Sequence, residues 1–218
     1  MKKIFTTVCI LLGVYSFTHA QSTKLNAGKT ELGLGLGVSG AYLVQNAENA
    51  SSTGFTWGFT AHASAEYYLS DAWGIKIKAS YDSKGWGNGI YNDPNKSTVV
   101  EGVYYPMKYV TVPLTLNWHF GPEKNWYVMG GPYAGFLLNA TNDYTHEDMK
   151  KDFKSTEFGA DLGLGLNLPL SDRLQLFFEF DGQLGFTNIQ TGFTNTYLHN
   201  SPGSQTRKSG FGVGLKFK

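Results

Sequence analysis

The feature that most constrains the fold is a strict alternation of apolar and polar residues, clearest between Leu174 and Phe186. One alternate set there consists of Leu, Phe and Gly, whereas the other carries Glu179, Asp181 and two glutamines. Successive side chains of a β-strand point to opposite faces, so one face of this strand is apolar and the other is polar. Similar alternation recurs in about eight segments. The pattern predicts an all-β fold, an eight-stranded antiparallel transmembrane β-barrel with lipid outside and a polar lumen.

The N-terminus has the organisation of a secretory signal peptide. A basic start at residues 1–3 precedes a mostly apolar run from Ile4 to Tyr15, and Ala20 before Gln21 provides a cleavage point. The apolar run is too short for a membrane anchor. We therefore expect an exported protein of the cell outer membrane with its signal peptide cleaved. The expected divisions are a signal peptide at 1–20, an N-terminal periplasmic segment at 21–29 and the barrel at 30–218.

Composition excludes several classes of protein. The single cysteine, Cys9, lies in the signal peptide, so the mature chain has no disulfide framework. Removal of Lys2 and Lys3 leaves 16 basic against 17 acidic residues, a net charge of −1. This balance, without any basic run, gives no basis for nucleic-acid binding. Beyond the signal peptide, no stretch approaches the roughly 18 apolar residues of a transmembrane helix.

The connections between the predicted strands alternate in length. We predict strands at about 30–44, 55–69, 73–86, 105–120, 126–140, 155–168, 173–188 and 206–218. Short turns are expected near 70–72, 121–125 and 171–172, and long polar loops near 45–54, 87–104, 141–154 and 189–205. Short periplasmic turns with long extracellular loops are typical of outer-membrane barrels, and the even strand count places both termini on the periplasmic side.

The outward-facing residues are apolar. In the segment 55–69 the outward set contains only aromatic residues, alanine and leucine. A soluble barrel such as a lipocalin would place its apolar side chains inside, so that alternative is disfavoured. Tryptophan and tyrosine favour the headgroup level of a membrane, because the ring is apolar while its polar atom still reaches water. We predict an aromatic girdle comprising Trp57, Tyr67, Trp73, Trp118 and Trp126.

The inward-facing residues include charges of both signs. Eight strands enclose an interior just wide enough for side chains to fill, so these charges should pair rather than line an open channel. Lys76 is expected beside Glu66, and Lys216 near Glu179. The predicted lumen charge network consists of Glu66, Lys76, Lys78, Glu157, Asp161, Glu179, Asp181 and Lys216.

Glycines are expected to line the lumen on the first and last strands. Gly33, Gly35 and Gly37 alternate on the first strand, and Gly210, Gly212 and Gly214 on the last. Three explanations remain open: room for large side chains, relief of strain at tight curvature, or a small void.

Catalytic and metal-binding groups find little support in the sequence. His62, Ser64 and Glu66 share one strand face, but nearly 7 Å separates alternate residues, too far for a nucleophile–base hydrogen bond of about 3 Å. A pairing of Asp143 or Asp148 with His199 between loops is left open. His146, Glu147 and Asp148 would make at most a weak loop cation site. We predict no catalytic residue, no cofactor and no metal site.

Several segments resemble a known family. Tyr109 to Trp118 is similar to the Tyr-Leu-x-Ile-Pro-Leu strand of the PorT-like outer-membrane β-barrel proteins, a porin family common in Bacteroidota. Gly130 to Leu138 resembles the family's Gly-Pro-Tyr-x-Gly-Phe-Leu-Leu strand, and 158–163 and 184–189 resemble the next two. The resemblance covers about 109–189 and implies a small outer-membrane barrel; a few relatives are associated with secretion, but no residue here carries that role. Phe217, shifted one position by Lys218, is similar to the terminal aromatic that barrel assembly machinery recognises.

The sequence thus predicts a non-enzymatic outer-membrane barrel with a packed polar lumen and a structural or surface-interaction role. Two alternatives are a narrow porin for ions or small solutes and an outer-membrane barrel hydrolase. Its expected partners are outer-membrane lipid, the assembly machinery during biogenesis and an extracellular ligand at the loops. We expect a monomer.

Overall fold

The computed structural model describes residues 27–45, 53–93, 98–191 and 203–218. The predicted signal peptide and residues 21–26 of the predicted periplasmic segment lie outside these ranges. Eight strands pair antiparallel in chain order, and the last pairs with the first to close a barrel. The strands are β1 (Thr30–Gln45), β2 (Thr56–Tyr68), β3 (Trp73–Asp93), β4 (Thr98–Phe120), β5 (Trp126–Ala140), β6 (Thr156–Ser171), β7 (Leu174–Gly185) and β8 (Ser204–Phe217).

The predicted fold is confirmed, and the alternation of side chains explains it. In β7, for example, Phe177 and Glu179 are buried inside while Phe180 and Leu184 are exposed outside. A ring of such strands satisfies the backbone hydrogen bonds without leaving an open edge. Short connections join β2 to β3, β4 to β5 and β6 to β7 at one end of the barrel, hereafter the turn end. The opposite end is the loop end.

Within the described residues, no helix is long and apolar enough to cross a membrane.

The predicted loop at 87–104 is wrong, because β3 and β4 both continue through it and pair as far as Asp93 with Thr98. This segment is rich in glycine and polar residues, a composition that otherwise indicates a loop. Here the segment instead forms a hairpin that contains a β-bulge. The register shifts between Trp86 and Ile90, and Asn88 adopts a positive φ of 52° at that point. β-bulges bend a strand and increase its twist while pairing continues beyond them.

The connection between β5 and β6 folds back onto the barrel. It contains a short 3-10 helix at Lys150–Asp152. Isolated bridges join Thr141 to Asp148 and Phe153 to Gln190. Met149 and Phe153 are buried, so this connection contributes to the core.

The apolar core lies at the loop end of the lumen, and we call it the apolar plug. It consists of Leu43, Trp86, Tyr91, Val103, Tyr105, Met107, Tyr109, Leu137, Ala140, Met149, Phe153 and Ile189.

Candidate functional site: the barrel lumen

The eight charged residues predicted for the lumen all lie inside the barrel, with exposed fractions between 0 and 9%. They come from β2, β3, β6, β7 and β8, and all except Asp161 belong to one of three groups along the barrel axis. A buried charge is costly unless it is paired and hydrogen-bonded, so the partners of each group decide whether the lumen is stable without water.

The central group is built around Glu179 on β7. Its carboxylate accepts hydrogen bonds from Lys76, from Lys78 at 2.9 Å and from the Tyr127 hydroxyl at 2.8 Å. Lys78 also donates to Asp181 at 2.8 Å. Two ammonium groups therefore face two carboxylates, and the group is electrically balanced across the full width of the barrel.

The turn-end group is built around Glu66 on β2. Lys216 lies 2.8 Å from one carboxylate oxygen, while His119 Nε2 and Asn117 Nδ2 lie 2.7 and 2.9 Å from the other. Lys216 is also 3.7 Å from Glu31. The predicted pairing of Lys76 with Glu66 is therefore wrong, because Lys76 bonds Glu179. Lys216, which was expected near Glu179, forms its hydrogen bond with Glu66. Facing residues of adjacent strands suggested Glu66 with Lys76, but long side chains in so narrow a lumen reach across it.

The loop-side group contains two ion pairs. Lys208 lies 2.8 Å from Asp82, which also accepts a 2.8 Å hydrogen bond from Thr60. Lys84 pairs with Glu157.

Two rings flank this second pair. The ammonium of Lys84 lies 5.1 Å from the centroid of the Tyr109 ring and 4.8 Å from that of Tyr133. Glu157 also accepts a 2.9 Å hydrogen bond from Thr206.

Sequence reasoning missed several members of these groups. Lys84, Lys208 and Glu31 lie in predicted strands, and each shares its alternation with a predicted inward residue of the same or neighbouring strand. Consistent use of that alternation identifies all three. The buried hydrogen bond between His119 and Glu66 joins β4 to β2, two non-adjacent strands, and no local pattern marks it.

Asp161 on β6 is bonded less completely than the other carboxylates. Gln183 donates to it at 3.1 Å from the neighbouring strand β7. Its second carboxylate oxygen has no hydrogen-bond partner among the described residues. Buried polar atoms of this kind commonly bind ordered water.

The glycines of β1 and β8 make room for two rings. A Cβ atom at Gly35 would lie 2.6 Å from His62 Nε2 and 2.8 Å from Phe177 Cζ. The His62 and Phe177 rings lie 5.7 Å apart over this surface. They come from β2 and β7, which flank the glycine strands. The arrangement favours the first of the three explanations, room for large side chains.

Little space remains between the polar groups. A cavity of about 10 Å³ lies between Thr60 and His62 on one side and Glu179 and Asp181 on the other. That volume is about the minimum that one water molecule needs.

The apolar plug covers the loop end of the polar groups. Trp86 stacks on Tyr105 with ring centroids 4.6 Å apart, and the Phe153 ring meets Trp86 edge-on at 5.8 Å. The connection carrying Phe153 thus packs into the mouth of the barrel. Among the described residues, these closely packed rings fill this part of the barrel interior.

The five aromatic residues predicted for a girdle lie on the outer face. Trp57 is the most exposed, at 78%, and lies towards the loop end. The other four lie near short turns; the rings of Trp73 and Trp118, on paired positions of β3 and β4, are 6.3 Å apart. Their role as a membrane girdle remains a prediction.

The described residues include no group of three or more His, Cys, Asp and Glu side chains placed to hold a metal ion. His199, which the sequence left open as a partner for a loop aspartate, lies outside the described residues. Glu66 and His119 make an acid–base contact, but Nδ1 of His119 has no hydrogen-bond partner in the described ranges. Activation of a nucleophile would require a hydroxyl or thiol at that ring.

Solved structures of outer-membrane barrels are similar to this chain. OprG from Pseudomonas aeruginosa has a TM-score of 0.53 and 11% identity, over 88% of this chain and 97% of that one. Ail, the attachment invasion locus protein of Yersinia pestis, has a TM-score of 0.44 and 10% identity, over 87% and 99%. Neisserial surface protein A has a TM-score of 0.44 and 16% identity, over 85% and 96%. At these identities the likeness concerns the fold alone.

Among curated proteins, none matches the sequence. The family model for the outer membrane protein beta-barrel domain matches residues 19–191, which include β1 to β7. The chain therefore belongs to the outer membrane protein beta-barrel domain family, and its place is the cell outer membrane.

Proposed function

We propose that this protein is a non-enzymatic surface barrel with a closed lumen, and that its role is structural or depends on contacts made at the loop end. The observation that carries the proposal is the filling of the lumen. Balanced ion pairs occupy its middle, and the apolar plug occupies its loop end. Charges paired across a narrow barrel hold its walls together, whereas a selective pore needs wetted, accessible charge.

The narrow-porin alternative has weaker support. The cavity between Thr60 and Asp181, about 10 Å³, accommodates no more than a water molecule. A solute would have to displace Trp86 and Phe153 from their contact and then break the bonds of Glu179. Opening such a path would cost free energy at several points, because the buried ions lose their partners as the lumen opens.

The hydrolase alternative has the acid–base contact of Glu66 and His119 as its strongest element. Both side chains are almost completely buried beneath Tyr68, whose ring lies 5.3 Å from the His119 ring. The carboxylate is already bonded to Lys216 and Asn117. A buried pair whose carboxylate is already fully bonded fits structural support of the turn end better than catalysis.

Finer assignments belong to the same proposal. The PorT-like resemblance of 109–189 supports membership of that subgroup, and the signal peptide at 1–20 supports export before assembly. Phe217 near the C-terminus supports recognition by barrel assembly machinery, and the balanced charge is compatible with a monomer. The loop-end surface for an extracellular ligand includes Tyr144, which is exposed and lies 5.8 Å from Tyr91.

A solute-flux measurement tests the closed lumen. The mature chain is refolded into liposomes loaded with an impermeant polymer, which are then diluted into an iso-osmotic solution of a small sugar. We expect no swelling above that of protein-free liposomes, while a known porin in matched liposomes swells. Swelling that rises with the amount of folded protein would favour the porin. Turnover of a fluorogenic ester or lipid substrate, lost in His119→Ala, would favour the hydrolase.

A further inference from the structure

A groove lies on the outer face of the barrel, separate from the lumen. It has a volume of about 370 Å³, and its apolar floor and walls come from Leu162 and Leu164 on β6 and Phe180 and Leu184 on β7. These side chains belong to the set that faces lipid. We call it the outer groove.

The outer groove exists because residue 182 is glycine. Gly182 occupies an outward position between Phe180 and Leu184, where the rest of β7 carries large apolar side chains. A Cβ atom there would lie 3.8 Å from the nearest atom, the carbonyl oxygen of Lys208. The backbone therefore leaves room for a side chain that the sequence does not supply. At Gly35 and Gly214, by contrast, aromatic or imidazole rings occupy the space next to the glycine.

Arg207 lies at the loop-side end of the outer groove. Its register partners are Leu184 on β7 and Tyr42 on β1. Its guanidinium donates to the carbonyl oxygens of Gly185 at 2.6 Å and Thr206 at 2.9 Å, and to the Gln205 side chain at 2.9 Å.

These contacts fix the arginine without neutralising it. Within the described ranges they engage three of the five N–H donors of a guanidinium, and every acceptor is an uncharged oxygen. The residues lining the outer groove include no carboxylate. A guanidinium that is fixed in place, has no carboxylate beside it and keeps free N–H donors is suited to bind a phosphate group.

The level of Arg207 in the membrane identifies what could fill the groove. Along β8 the outward side chains change from Phe211 to Ser209 and then Arg207, so the apolar band ends there. Gly40, the register partner of Ser209, also pairs with Trp57, an aromatic residue of the type found at headgroup level. Arg207 therefore lies at the outer interface, while the groove beneath it extends into the hydrocarbon.

We propose that the outer groove binds one phosphate-bearing lipid of the outer leaflet, with its phosphate on Arg207 and one acyl chain over Gly182. Charge complementarity favours this occupant over a second copy of the chain. A symmetric pair would bring two Arg207 side chains to one apolar interface with no carboxylate from either groove, and unpaired buried charges are costly.

Lipid retention measured by native mass spectrometry tests the site. The folded mature chain is equilibrated in detergent with bisphosphorylated lipid A, with its phosphate-free form, or with inorganic phosphate. We expect one retained lipid A per chain and little retention of the phosphate-free form. Arg207→Gln should weaken binding about tenfold, because charge-assisted hydrogen bonds are lost. Gly182→Leu should weaken it similarly by filling the groove, and the barrel should still fold because the added Cβ lies 3.8 Å from its nearest neighbour and the side chain points into the groove.

Lys108→Gln is the matched control. This cation also faces outward near the loop end. It lies over the Tyr81 ring on the wall formed by β3 and β4, away from the outer groove. The control should retain lipid A as the native chain does. Retention unchanged in Arg207→Gln, or unchanged in Gly182→Leu, would overturn the two-point site. A dimer lost in Gly182→Leu would assign the groove to a second copy instead, and phosphate binding equal to that of lipid A would reject an acyl-chain site.

Discussion

Glu179 is the residue on which the middle of the lumen most depends. It accepts hydrogen bonds from Lys76, Lys78 and Tyr127, which come from β3 and β5, while Glu179 itself lies on β7. Its loss would leave two ammonium groups with less compensation in a lumen that has little room for water. Removing one partner of a buried ion pair costs more than the pair contributes, because the remaining charge stays buried.

We therefore expect Glu179→Gln to lower the free energy of unfolding by about 3–5 kcal/mol. The measurement is urea unfolding of the barrel in lipid vesicles, followed by tryptophan fluorescence. Asp172→Asn is the control, since Asp172 is an exposed carboxylate in a short turn, and its effect should be close to zero. A loss below 1 kcal/mol for Glu179→Gln would contradict the ion-pair account.

The glycine surface makes a second residue-level prediction. A Cβ at Gly214 would meet the Leu34 carbonyl oxygen and approach Phe177 Cζ at 2.5 Å, whereas a Cβ at Gly182 would make only ordinary van der Waals contacts, the nearest at 3.8 Å. Gly214→Ala should therefore destabilise the barrel by about 1–3 kcal/mol through overpacking. Gly182→Ala should leave stability unchanged, and unfolding in the same vesicles compares the two. Equal stabilities would mean that the β1–β8 seam is looser than the structure indicates.

At the scale of strands and hairpins, alternation predicted the elements well but not how far they extend. The short turns and six of the strands follow the apolar pattern to within about three residues, because the bilayer demands an apolar outer face there. β3 and β4 extend beyond the part of the sequence that shows this apolar pattern. Gly87, Asn88 and Gly89 indicated a loop locally, but pairing with 98–105 keeps the segment extended.

That extended hairpin supports the apolar plug, which gives an element-level prediction. Trp86→Ala removes the stack on Tyr105 and the edge contact with Phe153, so the connection at 141–154 should detach from the barrel mouth. We expect faster trypsin cleavage at Lys150 and Lys151 while the barrel remains folded. Tyr104→Ala is the control, since Tyr104 is an exposed aromatic on the same hairpin. Equal cleavage rates in the two variants would show that the plug does not hold this connection.

At the scale of the whole molecule, the sequence placed eight charges on the inward face but did not show which charges would pair. The face that a side chain occupies follows from the period of two along a single strand, and the local sequence shows that period. Pairing relies on which side chains meet across a closed lumen, as Lys216 does with Glu66 and Lys76 with Glu179. The apolar plug was missed for the same reason, since Phe153 and Trp86 meet only when the barrel is complete.

Single-channel recording in a planar bilayer is the sharpest test of whether the lumen of this barrel is closed. The mature chain is refolded and inserted, and insertion is verified by protease protection of the strands. We expect a silent bilayer across the voltage range, because the ion pairs and the apolar plug together fill the lumen. Steady and reproducible current steps from the inserted native chain, altered in size or ion selectivity by Lys78→Gln, would contradict it.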